Sequence, residues 1–314
     1  MLRVVFMGTP DFAVPCLNAI VNAGHEVAAV VTQPDRPKGR GKKMCPSPIK
    51  QAALDYNLTV LQPGKIKDPA FLQELRLLSP DVIVVVAYGQ ILPKNMLDLP
   101  RLGCINVHAS LLPRYRGAAP IHWAIINGDQ TTGVTTMYMD VGMDTGDMIL
   151  KKEIPIGPED TTGILHDKLM IAGADLLLDT LALAEAGQAP RTSQDHAAAT
   201  YAPLLTREVE RIDWTLSAQE IHNRIRGLCP WPGAYCFHKE KSLKLCKSRV
   251  ATVTSLAGTN KHPGRIHALT SDGVIVEAGV GAVELLELQP ECRQRMNARD
   301  CANGYCLLVD ETLI

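Results

Sequence analysis

The sequence predicts an α/β fold, with a mostly parallel sheet covered on both faces followed by a small all-β domain. Three observations carry this. Apolar, β-branched runs at residues 2–7, Val27–Thr32, Asp81–Ala87 and Cys104–His108 lack polar alternation, as strands buried on both faces do. Helical stretches separate these runs, as in parallel sheets covered by crossover helices. Composition then shifts at Gly187-Gln-Ala-Pro-Arg-Thr-Ser-Gln-Asp195, and beyond it short apolar runs alternate with turns.

The first strand closes at Gly8-Thr9-Pro10. A helix follows, with Asp11 near its start and Asn22-Ala-Gly24 at its end. Asp81–Ala87 is the clearest buried strand, and Cys104–His108 is another. Val134–Met139 and Met148–Ile154 read as later strands. Thr161-Thr-Gly163 opens a long amphipathic helix that runs to about Ala186. Ser217–Arg226 is a short helix, with Ser217 as N-cap and Glu220 three residues on. After Pro230-Trp-Pro-Gly233, turns at Gly258-Thr-Asn260, Pro263-Gly264, Ser271-Asp-Gly273 and Ala278-Gly-Val-Gly281 space short strands, as in a small barrel. The expected fold is a Rossmann-like, mostly parallel sheet domain at 1–189, a linker at 190–206 and an OB-like barrel at 207–314. Two domains suit 314 residues, since one domain takes roughly 100–200.

A formal net charge of −1 gives no global field for nucleic acid, so any basic surface must be local. Nine cysteines without a C-x-x-C pair argue against a zinc ribbon or a thioredoxin-like motif, and for reduced thiols. No apolar run approaches the roughly 20 residues of a membrane span, and Leu2–Phe6 is too short for a signal peptide. The expected location is cytoplasmic.

Chemistry gathers at Cys104-Ile-Asn106-Val-His108-Ala-Ser110-Leu-Leu-Pro113. Asn106 and His108 are two apart on a strand, so they share a face. One donates hydrogen bonds, and the other exchanges a proton near neutral pH. The end of a strand in an open α/β sheet is a usual place for chemistry. A second cluster, Asp140-Val-Gly-Met-Asp144-Thr-Gly-Asp147, flanks Asp144 with glycines that allow close backbone approach. A locally satisfied histidine and turn-capping aspartates are the alternative readings. Gly8-Thr-Pro-Asp-Phe12 lacks the dinucleotide-binding pattern G-x-G-x-x-G, which weakens a nicotinamide enzyme. Arg36, Lys38, Arg40, Lys42, Lys43 and Lys50 face one acid, Asp35, in a Gly- and Pro-rich stretch. That makes either a solvated loop or a mobile, phosphate-seeking one.

These motifs resemble the 10-formyltetrahydrofolate-dependent formyltransferases. Phe6-Met-Gly-Thr-Pro-Asp-Phe12, the basic stretch from Gln33 to Lys43 and Pro230-Trp-Pro-Gly233 point to the branch whose acceptor is initiator methionyl-tRNA. The resemblance runs from Val4 to about Leu288. It implies 10-formyltetrahydrofolate as co-substrate, tetrahydrofolate as product, no metal, no membrane and no obligate protein partner. It implies catalytic roles for Asn106 and His108, as donors to the formyl oxygen, with His108 also helping to move a proton, and for Asp144, which holds His108 and an ordered water for proton transfer. Ser110, Leu111, Leu112 and Pro113 correspond to folate contacts. The segments Ala87–Leu92 and Met139–Asp144 would line the pterin pocket. Arg36, Lys38, Arg40, Lys42 and Lys43 would reach the acceptor stem. The rivals are a relative acting on an amino sugar or a purine-pathway amine, and a non-catalytic RNA-binding relative. The tail Glu291–Ile314 matches the family poorly.

Overall fold

A computed structural model describes residues 1–38, 41, 43–252, 262–305 and 307–314. The chain forms two compact units. The first takes Met1–Pro120, Thr132–Pro155 and His166–Ala202; the second takes Ile121–Thr131, Ile156–Leu165 and Pro203–Ile314.

Strands of the first unit are β1 (Arg3–Gly8), β2 (Glu26–Val31), β3 (Arg36–Lys38), β4 (Lys43–Cys45), β5 (Val60–Leu61), β6 (Val82–Val86), β7 (Cys104–His108), β8 (Arg116–Gly117), β9 (Thr131–Tyr138), β10 (Met148–Pro155) and β11 (Tyr201–Ala202). Seven form one sheet in the order β10-β9-β7-β6-β1-β2-β5. The neighbours from β5 to β7 are parallel, and β9 joins β7 antiparallel. The β-branched runs take the centre: all five residues of β6 are buried. Two flanking helices start on side-chain caps, with proline in the first turn. Ser47 Oγ accepts from the Lys50 amide, and Asp68 Oδ1 from the Ala70 amide. Because β2 and β6 lie on opposite sides of β1, the strand order reverses there, leaving a crevice at the carboxyl ends of these strands.

The expected linker at 190–206 is corrected. Thr192 and Met148 exchange two backbone hydrogen bonds, at 2.8 and 3.0 Å. Gln194 is buried, and β11 pairs in parallel with β8. Residues through Ala202 are therefore a strap of the first unit, and the division at 189 comes too early. Turn-forming composition marks an irregular path, not a free one. The second unit also draws on earlier segments. Trp123 Nε1 donates to the Pro203 carbonyl at 2.9 Å, and Thr162 Oγ1 to that of Gly227 at 2.6 Å.

The second unit carries β12 (Ala234–His238), β13 (Lys241–Val250), β14 (Ile266–Leu269), β15 (Val274–Glu277), β16 (Ala282–Pro290) and β17 (Met296–Asn297). The sheet order is β12-β13-β16-β15-β14, with β17 on β16, and the pairs are antiparallel. Its core gathers Leu243, Leu245, Val274, Val276 and Leu285 under Ile221 and Ile225 of the helix Ala218–Gly227. That helix has the expected capping box between Ser217 and Glu220. The tail bridges the two sheet edges. Ile314 and Phe237 of β12 exchange backbone hydrogen bonds, while the Ile266 amide of β14 donates to the Glu311 carbonyl at 2.7 Å. Strand edges that would template foreign pairing are thereby covered. Glu311 takes Lys239 and His238 at 2.6 and 2.8 Å, and its hydrogen bond to Lys239 leads in holding its carboxyl down at about 2. The expected turn at Gly258-Thr-Asn260 lies outside the described residues. Among the described residues, no helix is long and apolar enough to cross a membrane.

Candidate active site

β7 places Asn106 and His108. It lies between β6 and β9, with Asn106 opposite Val85 and Met137, and His108 opposite Thr135 at the strand's carboxyl end. Among the described residues the Asn106 amide takes no hydrogen-bond partner, and it is only half-buried. His108 is buried at 6% exposure. Its Nε2 lies 2.9 Å from the Tyr115 carbonyl. A carbonyl only accepts, so Nε2 carries the hydrogen and Nδ1 is left to gain or lose the second proton. Nδ1 sits 3.7 Å from Asp144 Oδ2, too long for a hydrogen bond, so the carboxylate lies beside the ring without being bonded to it.

Asp144 adopts a left-handed backbone, with φ +54°. Its Oδ2 accepts from the Gly117 amide at 2.8 Å. Its neighbours explain how the loop reaches this shape. Asp140 Oδ1 accepts from the Gly142 amide at 2.9 Å and from Thr145 Oγ1 at 2.6 Å. A Cβ on Gly146 would lie 1.9 Å from the Tyr138 carbonyl, so only glycine lets the loop lie against β9. Asn106 and His108 thus share a strand, and Asp144 approaches the ring of His108.

Beside Asp144 is a cavity of about 130 Å³, lined by Gln90, Ile91 and Leu92 on one side and Met137 and Met139–Asp144 on the other. The two segments expected to line a pterin pocket face each other across it. Ile91, Val141 and Met143 are exposed apolar side chains there, as at a ligand-binding groove. The volume is below the roughly 300–1,000 Å³ that engulfs a drug-sized ligand.

Ser110–Pro113 is placed differently from a row of side-chain contacts. Ser110 is fully buried, and its Oγ donates to the Arg114 carbonyl at 2.6 Å. Leu112 is fully buried with Met137 and Met148. Thr135 Oγ1 donates to the Ser110 carbonyl and accepts from the Leu112 amide, fixing this turn to β9. Only Leu111 and Pro113 keep partial exposure.

A second cleft, of about 450 Å³, opens at the ends of β1, β2 and β6. Thr9, Gln33, Arg36, Ser47 and Tyr88 are among its lining residues. The buried Tyr88 hydroxyl has no partner among the described residues, and burial pushes the phenol up to about 12. One wall includes Arg36, Pro37 and Cys45 of β3 and β4, two strands in which Arg36 pairs with Cys45 and Lys38 with Lys43. Arg36 and Lys43 are exposed. Arg40 and Lys42 lie outside the described residues, and Lys38 is described by its backbone alone. Lys50 points back to Asp35 at 2.7 Å and to Gln62 at 2.8 Å.

Several basic residues of the second unit are occupied internally. Arg226 is buried and donates to the Asp160 carbonyl and to Asn223. Arg249 pairs with Glu284 and Asp272, and Lys239 with Glu311. Lys239 sits in the turn between β12 and β13. Lys241, Lys244 and Lys247 remain exposed.

Sequence reasoning missed Tyr115, Gly117, Arg116 and Gln194. Tyr115 and Gly117 act through backbone atoms, which leave no side-chain signal. Arg116 looks like a surface charge, and Gln194 falls in a polar stretch.

Residues 2–181 match the formyl transferase family, and residues 204–306 match the formyl transferase C-terminal domain. A methionyl-tRNA formyltransferase of Ruminiclostridium cellulolyticum is 49% identical over 313 residues, covering 99% of both chains. One from Syntrophus aciditrophicus is 54% identical over 306 residues, covering 98% of this chain and 97% of that one. Among solved structures, HypX from Aquifex aeolicus in complex with tetrahydrofolic acid superposes with a TM-score of 0.67 at 17% identity. It covers 99% of this chain and 48% of HypX, a likeness of fold alone. With half its residues identical along nearly the whole length, this chain belongs to the formyl transferase family, among the methionyl-tRNA formyltransferases.

Proposed function

We infer that the protein transfers the formyl group of 10-formyltetrahydrofolate to the α-amino group of methionine on initiator methionyl-tRNA. The products are formylmethionyl-tRNA, for translation initiation, and tetrahydrofolate. The observation that carries this is identity of about half the residues across both family domains, the C-terminal one included. Relatives acting on amino sugars are only about 20% identical to this chain. We place the reaction in the cytoplasm.

The roles proposed for individual residues follow from chemistry. The amine adds to the formyl carbon, a C–N bond forms, and the formyl oxygen becomes an oxyanion. Collapse breaks the bond to the folate nitrogen, which takes up a proton as the amine loses one. Asn106 donates to the oxyanion; its unpartnered amide at the strand end supports this, and one such donor is worth about 2.7–4 kcal/mol. His108 is a second donor to the oxyanion and helps move the proton. Its Nε2 faces the Tyr115 carbonyl, which leaves Nδ1, on the side of Asp144, for both duties. The 130 Å³ cavity takes the pterin ring, with Leu111 and Pro113 supplying the exposed part of the Ser110–Pro113 contact. The larger cleft takes the acceptor's 3′ end, beside the cationic hairpin carrying Arg36, Lys38, Arg40, Lys42 and Lys43. We assign the first unit, through Ala202, to catalysis and the second to tRNA contact, through Lys241, Lys244 and Lys247.

The test is incubation with 10-formyltetrahydrofolate and methionine-charged initiator tRNA, with an amino-sugar nucleotide as competing acceptor. Formylmethionine on the tRNA is expected. Formylation of the sugar alone, or of neither, would overturn the assignment.

A further inference from the structure

We propose that Gln194 is a positioning residue for formyl transfer, clamping the Asp144 loop so that its carboxylate stays beside His108. The proposal rests on the reaction inferred above. Gln194 lies in the strap that follows the long helix and is 6% exposed. Its Nε2 donates to the Asp144 and Gly146 carbonyls, both at 2.8 Å, which uses both amide hydrogens. Its Oε1 accepts from Arg116 Nη2 at 2.7 Å and Nε at 3.1 Å. The amide therefore has no capacity left for anything but this network.

Arg116 is 2% exposed, and its guanidinium also meets His196 Nδ1 at 3.3 Å. The next residue, Gly117, gives its amide to Asp144 Oδ2. A closed circuit results: Arg116 holds Gln194, Gln194 holds the Asp144 carbonyl, and Asp144 holds the amide beside Arg116. The Asp144 backbone sits in a region that L residues seldom occupy, and such a conformation persists only where its surroundings fix it. Gly146 lies directly on the Tyr138 carbonyl, so the loop is held from that side too. Release of the two carbonyls by Gln194 would let Asp144 relax away from the 3.7 Å approach to His108.

Gln194 also partners a buried arginine, and Gln194→Glu separates the two duties. A carboxylate still accepts from Arg116, more strongly as a charged pair. It has no hydrogens for the carbonyls and repels them. We expect Gln194→Glu to melt within a few degrees of wild type and to keep its KM for tRNA. Its kcat should fall roughly 10- to 100-fold, the scale on which slight misplacement of reacting groups is felt. A cycle with Asp144→Asn is the deciding measurement. If Gln194 acts through Asp144, adding Gln194→Glu to Asp144→Asn lowers kcat no more than about threefold further, because coupled residues are non-additive. Equal factors in both backgrounds would overturn the proposal, as would unchanged kcat in the single variant. Failure of Gln194→Glu to fold would assign the amide to stability and also overturn it. Wild type is assayed in the same series. An inactive wild type sinks the reaction and this proposal together, whereas an active wild type with an indifferent Gln194→Glu sinks the proposal alone.

Discussion

The Asp140–Asp147 loop and the β3–β4 hairpin are both polar excursions from the sheet, yet they are built on opposite principles. The loop is fixed from several directions: Asp140 ties its own turn, Gly146 lies on Tyr138, and Gln194 takes two of its carbonyls. The hairpin is fixed mainly along its own length, by cross-strand pairing, and at its base by Asp35, Lys50 and Gln62. One region fixes atoms to within ångströms, as catalysis requires. The other presents the exposed charges of Arg36 and Lys43, as electrostatic capture requires. Substitutions should therefore act on kcat in the first region and on affinity and salt dependence in the second.

The largest effect should come from the loop's partner. His108→Ala is expected to lower kcat about 100- to 1,000-fold, the range for removal of one stabilising group. It should leave the fold intact, because the ring sits at the strand end. Asp144→Asn should fall comparably, since an amide keeps the Gly117 hydrogen bond but removes the negative charge beside the imidazole. A loss of only a few-fold in both, by single-turnover assay, would mean that the loop's precision is not used in chemistry, and the comparison would break.

What the sequence made legible follows the same division. Strand runs such as Asp81–Ala87 announce themselves because burial on both faces forbids polar residues. Asn106 and His108 were legible because a two-residue spacing on a strand fixes their shared face. Gln194 was not, since its work lies in hydrogen bonds to residues 48 and 50 positions back along the chain. The same holds for the strap at 190–202 and for segment Ile121–Thr131, whose unit is set by partners far along the chain. The tail was opaque for a related reason: bridging two strand edges uses backbone atoms, which any residues supply.

A smaller effect is expected at the hairpin. Arg36→Ala with Lys43→Ala should leave kcat at saturating tRNA near wild type and weaken tRNA binding. The slope of log affinity against log salt should become shallower by about 0.7–0.9 for each phosphate that is no longer neutralised. Exchanging the two, Arg36→Lys with Lys43→Arg, should restore most of the slope, because charge rather than geometry is the requirement. Titrating binding at several salt concentrations decides this. A fall in saturated kcat would mean that the hairpin is part of the reaction site and that the two regions share one principle.

The smallest effect concerns the hairpin's base, where Lys50 and Gln62 both bond Asp35. The hydrogen bond from Lys50, followed by that from Gln62, holds the Asp35 carboxyl below its ordinary 3.8. A depressed carboxyl contributes stability that is fully present above the unfolded-state value and lost as pH falls through the folded one. The Asp35 anchor should therefore hold at neutral pH and fade only below about pH 3.8. Lys50→Met removes the leading cause, so the Asp35 midpoint should rise toward 3.8, with Gln62 retaining part of the depression. The pair is partly exposed, so global stability should hardly change. Carbon-detected NMR titration of the carboxylate in both chains reads the shift directly. A midpoint that stays put in Lys50→Met would transfer the anchoring to Gln62, whose Nε2 bridges the Gln33 carbonyl and Asp35 Oδ1. The hairpin's base would then be clamped by an amide, as the Asp144 loop is.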